Sequence, residues 1–567
     1  MDILGLRRAN CKSCHKCIRV CPVKSIEFSG QQAKIIGSEC ILCGQCVVTC
    51  PQNAKVVRSD LPRVKQAMAE GRRVVASLAP SFIVDFPVDG VEEMAGMLEK
   101  LGFAATAETA HGAYLVKSEY ERMVGEKRQD IIISTCCPSA VRLVQKYFPD
   151  LVDCLAPVVS PMEAHARYLK EQDPDAYVVF IGPCISKKAE AEDYPDSAVD
   201  CVLTFEELRG WAEEAGVEPE SVPCDRKGRR SRFFPKTGGI IQSMDRENTG
   251  YRYYAVDGPD RCVAALRDIR GGRLHNVFLE ISICEGSCVS GPMIRASQGG
   301  MLECQDRVTD YAAPGFPDRR PVRDFDTADV PLERHTAPQP VREKVPTDEE
   351  LTAILEKMGK TSSADELNCG SCGYPTCREK AKAVFNGKAE ITMCLPYMRE
   401  RAESLSDKIL GSTPNAILVV GEDLTVQQIN GAGCRLLELP RPEAAVHKPV
   451  EEFLDPVDFI FVMEDGRPIK DRKVWLEGCK KFVEETIVYD IENKLLLAIM
   501  KDITAQEEEN RRTQELRQQT LDVTDRIIQK QMRTVQEIAS LLGETTAETK
   551  VALTKLRGAV AEGEKRE

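Results

Sequence analysis

The spacing of apolar positions changes several times along this 567-residue chain, and each change predicts a different kind of structure. Between about 72 and 304, short continuous apolar runs alternate with helical stretches. The runs are Val74 to Leu78, Ile131 to Ile133, Tyr177 to Ile181 and Val277 to Ile281; the helical stretches include Val91 to Leu101 and about Ser139 to Phe148. That alternation predicts an α/β domain with a mostly parallel sheet. Residues 305–349 are rich in proline, aspartate and arginine without sustained periodicity, which predicts a linker or an extended wrap. From 404 to 504, strand-like runs such as Ala416 to Val420 and Lys494 to Met500 flank a helical Ala432 to Leu439, as in an α+β domain. The tail, 505–567, is helical throughout. Arg511 to Asp525 is almost wholly polar and needs a partner helix, whereas Ile528, Met532, Val535, Ile538 and Leu542 form an apolar stripe at spacings of three and four. Gly543 is expected to stop that helix and Thr545 with Glu548 to box the start of another. The stretch Glu537 to Lys555 is faintly similar to a helix-turn-helix, but a dimerising or partner-binding helical pair is expected instead.

Composition narrows the chemistry. The chain is too long for one core and is expected to split into several domains. Its net charge of −13 and pI near 5.3 argue against a broad basic face, so small molecules or proteins are the expected partners and nucleic acid is not. Met1-Asp2-Ile3-Leu4 leads into Arg7-Arg8 without the apolar segment of a secretory leader, and no run of about eighteen apolar residues offers a membrane span. A cytoplasmic chain is expected, in which the 24 cysteines serve as metal or cluster ligands rather than disulfides.

Cys11, Cys14, Cys17 and Cys21-Pro22 form C-x2-C-x2-C-x3-C-P, and Cys40, Cys43, Cys46 and Cys50-Pro51 repeat it. Three thiolates from one tight loop reach three corners of a cubane, and the fourth comes from the other run. Residues 1–60 thus resemble the bacterial two-cluster ferredoxins. That resemblance implies one [4Fe-4S] cluster on Cys11, Cys14, Cys17 and Cys50, another on Cys40, Cys43, Cys46 and Cys21, and one-electron relay rather than chemistry on a substrate. Two zinc knuckles are the other use of such cysteines. His15 reads as a solvated loop residue.

Three strand ends of the α/β region also carry cysteines: Ser134-Thr135-Cys136-Cys137-Pro138, Pro183-Cys184-Ile185-Ser186-Lys187-Lys188, and Glu280 to Cys288. Brought together at one edge of a sheet, where such domains bind ligands, they offer five thiolates to one centre. These segments, with Ala79-Pro80-Ser81, Ser160-Pro161, Val202-Leu203-Thr204 and Thr237-Gly238-Gly239 in order, resemble the three motifs of the [FeFe]-hydrogenase catalytic domain over residues 72–304. The resemblance implies a cubane on Cys137, Cys184, Cys284 and Cys288, with Cys288 bridging to a di-iron unit that carries CO and cyanide, together the H-cluster. It makes Cys136 the proton-relay thiol and sets Lys187 beside a cyanide ligand; a solvent-facing lysine next to Lys188 is the plainer alternative. Neighbouring Cys136 and Cys137 would struggle to ligate one cubane, so a free thiol is expected on physical grounds too, and a thiol's pKa is easily moved. Ser160 matches a relay serine by position, while Glu119 reads better as a solvated helix carboxylate.

The departures from that family bear on the role. The first motif reads S-T-C-C-P rather than T-S-C-C-P, Gly182 and Ser282 stand where catalytic enzymes usually carry methionine, and Val289-Ser290-Gly291-Pro292 replaces a G-G-G-Q ending. Smaller, more polar groups against the pocket change potential and ligand binding, so low turnover is expected. Residues 350–403 hold Cys369, Cys372, Cys377 and Cys394, spaced x2, x4 and x16. They resemble the four-cysteine Fe-S domain of corrinoid proteins and electron carriers, implying a further [4Fe-4S] cluster, with zinc the alternative. Residues 404–504 look like a PAS sensor domain ending in Asp502-Ile503-Thr504. Cys154, Cys201, Cys224, Cys262, Cys304, Cys434 and Cys479 lack ligand spacing and are expected to be small buried residues.

The whole resembles a sensory [FeFe]-hydrogenase of an anaerobic microorganism, multidomain α/β and α+β. The implied partners are H2 and protons, a ferredoxin-like redox protein, maturation proteins, a downstream signalling protein in trans, and a second copy through the PAS domain and tail. Two other readings are a ferredoxin-linked hydrogenase with docking domains, and an iron-sulfur relative without the di-iron unit.

Overall fold

The computed structural model describes residues 3–224, 227–247, 249–295, 300–314, 324–542 and 546–562. The chain divides into two compact units, Met1–Met398 and Arg399–Glu567.

In the first unit, strand β1 (Leu4–Leu6) will pair with a later strand, and β2 (Ile26–Ser29) and β3 (Gln32–Ile35) form a hairpin. Gly30 and Gln31 both take positive φ at its tip, the twist that two-residue hairpin turns require. β4 (Lys55–Val57) lies antiparallel to β1 and closes the N-terminal domain. The two cysteine runs adopt matching backbones. Ser13 and His15 in the first are left-handed, as are Leu42 and Gly44 in the second, and each run opens a short helix, Lys16–Val20 or Gln45–Val48.

The α/β region contributes β5 (Val74–Leu78), β6 (Ala105–Glu108), β7 (Ile131–Ile133), β8 (Tyr177–Gly182), β9 (Cys201–Thr204), β10 (Arg252–Asp257) and β11 (Val277–Ser282). All pairings are parallel, as the continuous apolar runs require, but there are two sheets rather than one: β6-β5-β8-β9 and β10-β11-β7. The cysteine-bearing strand ends therefore come from both sheets, β7 and β11 from one and β8 from the other. The single sheet edge expected from the sequence is replaced by a junction between two. β7 pairs with β11 on one side, and on the other Ile133 forms a parallel bridge with Leu155 rather than with β8.

The stretch expected to begin a linker at 305 is instead helical from Met301 to Ala312. Cys304, Val308, Tyr311 and Ala312 make its buried stripe, and Tyr311 packs edge-on against Phe82 with ring centres 5.5 Å apart. From 324 onward the chain is an extended wrap. Val159 N–H donates to Leu332 O and Gln339 N–H to Gln145 O, and the Arg334 guanidinium reaches the fully buried Glu163 carboxylate at 3.1 Å. A helix, Asp348–Lys357, capped by a Thr347/Glu350 box, leads into the four-cysteine segment and its helix Cys377–Phe385.

The second unit is built on β12 (Ala416–Gly421), β13 (Val426–Ile429), β14 (Ile469–Leu476), β15 (Lys481–Asp490) and β16 (Leu495–Asp502), an antiparallel sheet of order β13-β12-β16-β15-β14. Leu418, Val420, Phe459, Ile487 and Ala498 are at its core. The buried Asn430 side chain holds four backbone groups, accepting from Ile417 and Gly433 and donating to Leu410 and Asn415. A single helix, Thr504–Leu542, joins the polar and apolar stretches of the tail, and Thr546–Glu562 returns along it, with Arg557 4.0 Å from Asp525. The expected stop at Gly543 and the box of Thr545 with Glu548 lie outside the described residues. No helix among the described residues is long and apolar enough to cross a membrane.

Candidate functional site

Each cysteine turn is fixed by contacts from its neighbours. Past β7, Ser134 N–H donates to Leu279 O (2.9 Å) and its hydroxyl accepts from Ile281 N–H (3.1 Å), which locks the turn to β11. Thr135 N–H donates to the Tyr120 hydroxyl (2.9 Å), and Thr135 Oγ1 donates to Val158 O (2.7 Å). Cys136 and Cys137 follow, and Cys137 sits at the N-cap of the helix Pro138–Tyr147, where proline at the first position needs no amide partner. Cys184 lies two residues past β8, before the helix Ser186–Asp193. Cys284 lies two past β11. Gly286, at φ +79°, donates its N–H to the Asp257 carboxylate (2.6 Å) and lets the chain double back so that Cys288 returns to Cys284.

The four thiols lie in one another's fields. Burial pushes Cys184 up to about 11, with Cys137 adding to the rise. Burial raises Cys284 well above its ordinary value, reinforced by Cys137, Cys184 and Cys288. It takes Cys288 to about 12, with Cys184 and Cys137 again contributing. By surface area Cys288 counts as exposed, yet its thiol behaves as deeply buried. Four thiolates gathered this way repel each other and need a cationic core to deprotonate, which is the demand an iron-sulfur cubane meets. Among the described residues no three His, Cys, Asp or Glu groups stand as a single metal ion needs.

Cys136 is influenced by other groups. Burial pushes it up to about 12, and its neighbours are Tyr120, Lys187, Glu280 and Glu190; the Tyr120 hydroxyl is 3.4 Å from its sulfur. Lys187 is buried, donating to Ser160 Oγ (2.8 Å) and Glu190 Oε2 (2.6 Å). Burial works to lower its pKa, but Glu190 and the thiols of Cys184 and Cys136 outweigh that and hold it above the ordinary lysine value. The solvent-facing alternative fails for both lysines. Lys188 is fully buried, its ammonium 2.9 Å from both Asp60 and Glu207. Glu119 pairs with Arg122 and Arg128 at the rim, as a helix carboxylate should. At Gly182, a Cβ would fall 2.7 Å from the Phe180 ring and 3.2 Å from Ala79, so the ring occupies the room a larger side chain needs.

Two polar residues beside Cys136 escaped the sequence reading. Glu280 is buried within β11, accepts from Ile241 N–H (3.0 Å), and is pushed up to about 7 by burial against the pull of the backbone amides of residues 238–241. Its signal was present: a carboxylate inside the apolar run Val277 to Ile281. Tyr120 gave no signal, because one tyrosine on a helix looks like core.

A small cavity in the N-terminal domain is lined by Cys21 together with Cys40, Cys43 and Cys46, the set that cross-run ligation requires. Cys11 and Cys14 are neighbours of Cys17, and Cys50 Sγ accepts from Ala54 N–H (3.3 Å). Cys43 packs with Ile133, Val141 and Ile283, and its thiol is felt at Cys284. Gly44, at φ +76°, approaches so closely that a Cβ would strike Pro292 and Ile185, next to Cys184. The far end of the Cys137 helix completes the link: Lys146 Nζ donates to Cys40 O (2.8 Å) and the Tyr147 hydroxyl to Glu39 O (2.9 Å). His15 is not a solvated loop residue. It is half-buried, edge-on to Phe28 at 4.6 Å, with Nε2 buried and unpartnered among the described residues and its pKa lowered by burial. Cys369, Cys372, Cys377 and Cys394 line another small cavity. Of the remaining cysteines, Cys201, Cys262, Cys304 and Cys434 are buried, but Cys154, Cys224 and Cys479 are partly exposed because they lie in loops or at a helix end.

Residues 72–292 match the family described as iron only hydrogenase large subunit, C-terminal domain. Residues 4–51 match a 4Fe-4S dicluster domain and 365–396 a putative Fe-S cluster family. Iron hydrogenase 1 of Clostridium pasteurianum is 24% identical over 51% of this chain and 64% of its own length. The NADP-reducing hydrogenase subunit HndD of Solidesulfovibrio fructosivorans is 27% identical over 41% of this chain and 46% of its own. The chain thus spans less than two thirds of these relatives. The cytosolic Fe-S cluster assembly factor NAR1 of Kluyveromyces lactis is 35% identical over 16% of this chain and 19% of its own. Among solved structures, a Chlamydomonas reinhardtii [FeFe]-hydrogenase covers 49% of this chain and 99% of its own at 18% identity and TM-score 0.38. The PAS domain of nitrogen regulation protein NR(II) from Vibrio parahaemolyticus covers 18% and 98% at 20% identity and TM-score 0.16.

Proposed function

From the premise of a hydrogenase-like iron-sulfur protein, we propose that the chain is a sensory [FeFe]-hydrogenase of low turnover. The observation that carries this reading is the arrangement of Cys137, Cys184, Cys284 and Cys288 in one mutual field, with Cys136 and Lys187 buried beside them. Cys137, Cys184, Cys284 and Cys288 would hold a cubane, with Cys288 the residue that would connect it to the di-iron unit. That unit, when bound, supplies the heterolytic cleavage of H2.

The chain's own residues do the rest. The Cys136 thiol, held protonated by burial, would relay the proton by passing on its own as it takes up another, with Glu280 and Tyr120 next to it as the buried groups able to hold or steer it. Lys187, fixed by Ser160 and Glu190, presents an ammonium to an anionic cyanide. Gly182 and Phe180 close the pocket where a methionine would otherwise stand. Cys21, Cys40, Cys43 and Cys46 would hold one cluster and Cys11, Cys14, Cys17 and Cys50 another, and these would supply one-electron relay, with Cys43 on the side of the hydrogenase-like site and a ferredoxin-like protein as the outside partner. The second unit, a PAS domain followed by a helical tail, passes the redox change to a protein in trans or to a second copy in an anaerobic cytoplasm, after maturation proteins have installed the cofactor.

Infrared spectroscopy of the anaerobically matured protein under hydrogen tests the assignment, which stands if CO and cyanide bands appear and respond to the gas. The local likeness to NAR1 favours a second reading in which the same four thiols hold a cubane alone. Iron retained at those cysteines with no such bands would establish it. Efficient steady-state turnover would instead make the chain an ordinary ferredoxin-linked hydrogenase. Signalling is refuted if hydrogen reduces the clusters and leaves partner binding by the tail unchanged.

A further inference from the structure

The four-cysteine segment is seated directly on the N-terminal domain. Lys24, left-handed at φ 51°, spans the contact: its ammonium donates to Ile18 O and Arg19 O in the first cysteine run and to Gly373 O, each at 3.0 Å. Arg19 reaches Ser371 O at 3.2 Å. Gly373, at φ +93°, brings its backbone so close that a Cβ would lie 3.0 Å from the Ile18 side chain. The edge of β2 is used as well: Phe28 N–H donates to Lys388 O (2.8 Å) and Gly30 N–H to Glu390 Oε1 (3.0 Å). The buried Lys388 ammonium pairs with Glu39, next to Cys40, and with Glu343.

These contacts gather the cysteines of the two domains into one apolar cluster. Cys17, Cys21 and Cys46 share it with Cys372 and Tyr374. The Tyr374 hydroxyl is buried with no partner among the described residues, and the thiols it feels are Cys372 first and Cys21 next. A buried O–H without a partner is costly, and this one stands in the apolar cluster that holds both Cys21 and Cys372. Lys24 likewise senses Cys21 and Cys372.

We propose that the four-cysteine domain is a built-in redox terminal, its cluster exchanging single electrons within the chain with the cluster on Cys21, Cys40, Cys43 and Cys46 across Tyr374 and the Lys24–Gly373 contact. The cluster on Cys21, Cys40, Cys43 and Cys46 then becomes a branch point. Cys43 faces the hydrogenase-like site, Cys21 shares the apolar cluster with Cys372, and Cys11, Cys14, Cys17 and Cys50 form the other N-terminal set. Only the source of the electrons rests on the function proposed above; the contact itself does not.

The experiment is electron paramagnetic resonance of the full-length, cluster-loaded protein reduced with dithionite, so that no hydrogen chemistry is needed. The reduced wild type should show signals broadened by interaction between neighbouring clusters, and Cys372→Ser should leave narrower signals from the N-terminal clusters. Tyr374→Phe keeps every ligand, and its redox titration should show shifted midpoints for the Cys372 set and the Cys21 set. A wild-type spectrum that is the plain sum of independent clusters, zinc rather than iron on Cys369, Cys372, Cys377 and Cys394, or unmoved midpoints in Tyr374→Phe would overturn the proposal. Missing infrared bands with coupled signals present would refute the hydrogenase assignment and leave this one standing.

Discussion

Glu280→Gln tests the electrostatics beside Cys136 without deleting volume. Glu280 is 4% exposed and accepts from Ile241 N–H; burial raises its pKa from 4.5 to about 7. For a carboxyl whose pKa is higher folded than unfolded, the charged form is disfavoured in the native state. No penalty exists below pH 4.5; it grows as pH rises through the interval and is complete above about 7. At about 1.4 kcal/mol for each pH unit, that interval corresponds to about 3 kcal/mol of destabilisation at pH 8. Glutamine keeps an oxygen to accept from Ile241 and carries no charge. The variant should therefore match wild type near pH 4.5 and exceed it by about 3 kcal/mol at pH 8, the other titrations cancelling in the difference. Urea unfolding of both proteins at a series of pH values measures this directly. A difference that does not change with pH, or a variant weaker than wild type at pH 8, would refute the assignment of Glu280 as a carboxyl stranded by burial.

Cys136→Ala should retain the infrared bands of the matured site and lower proton-coupled turnover on the order of 10²- to 10⁴-fold; an unchanged rate removes Cys136 from the relay. Lys188→Met leaves the Asp60 and Glu207 carboxylates without their shared buried cation and should cost about 3–5 kcal/mol in denaturant unfolding. Cys21→Ser should lose the cluster of Cys40, Cys43 and Cys46 and keep that of Cys11, Cys14 and Cys17, as read by iron content and spin counting. His165, hydrogen-bonded to Ser77 at 2.7 Å, is held at about 3 by burial, with His111 adding to the shift. A base depressed on folding stabilises fully above the unfolded value of 6.5 and loses that as pH falls, so about 2 kcal/mol should disappear by pH 5. His165→Gln should flatten that slope.

Wherever a candidate ligand set lies within a few consecutive turns, its cysteines and the turns that carry them were legible from spacing. The C-x2-C-x2-C-x3-C-P runs and the Cys369 to Cys377 loop set their own geometry through left-handed residues such as Ser13, Leu42 and Gly370, a local property. The strand ends carrying Cys137, Cys184 and Cys284 were legible too, because unbroken apolar runs mark buried parallel strands and the turns after them are short.

What no window of sequence contains is which distant segments meet. The division of the strands into two sheets follows from the pairing of β7 with β11 across some 150 positions. The place of Glu280 and Tyr120 beside Cys136, the Lys188–Asp60 clamp, and the docking of Gly373 onto Ile18 likewise join residues roughly 15 to 350 positions apart. Such contacts are chosen by how whole buried surfaces fit and by which carboxylates find cations once water is excluded. The sequence therefore determined which thiols were available as candidate ligands, and tertiary packing decided which polar groups stand next to them and which set of cysteines lies beside which.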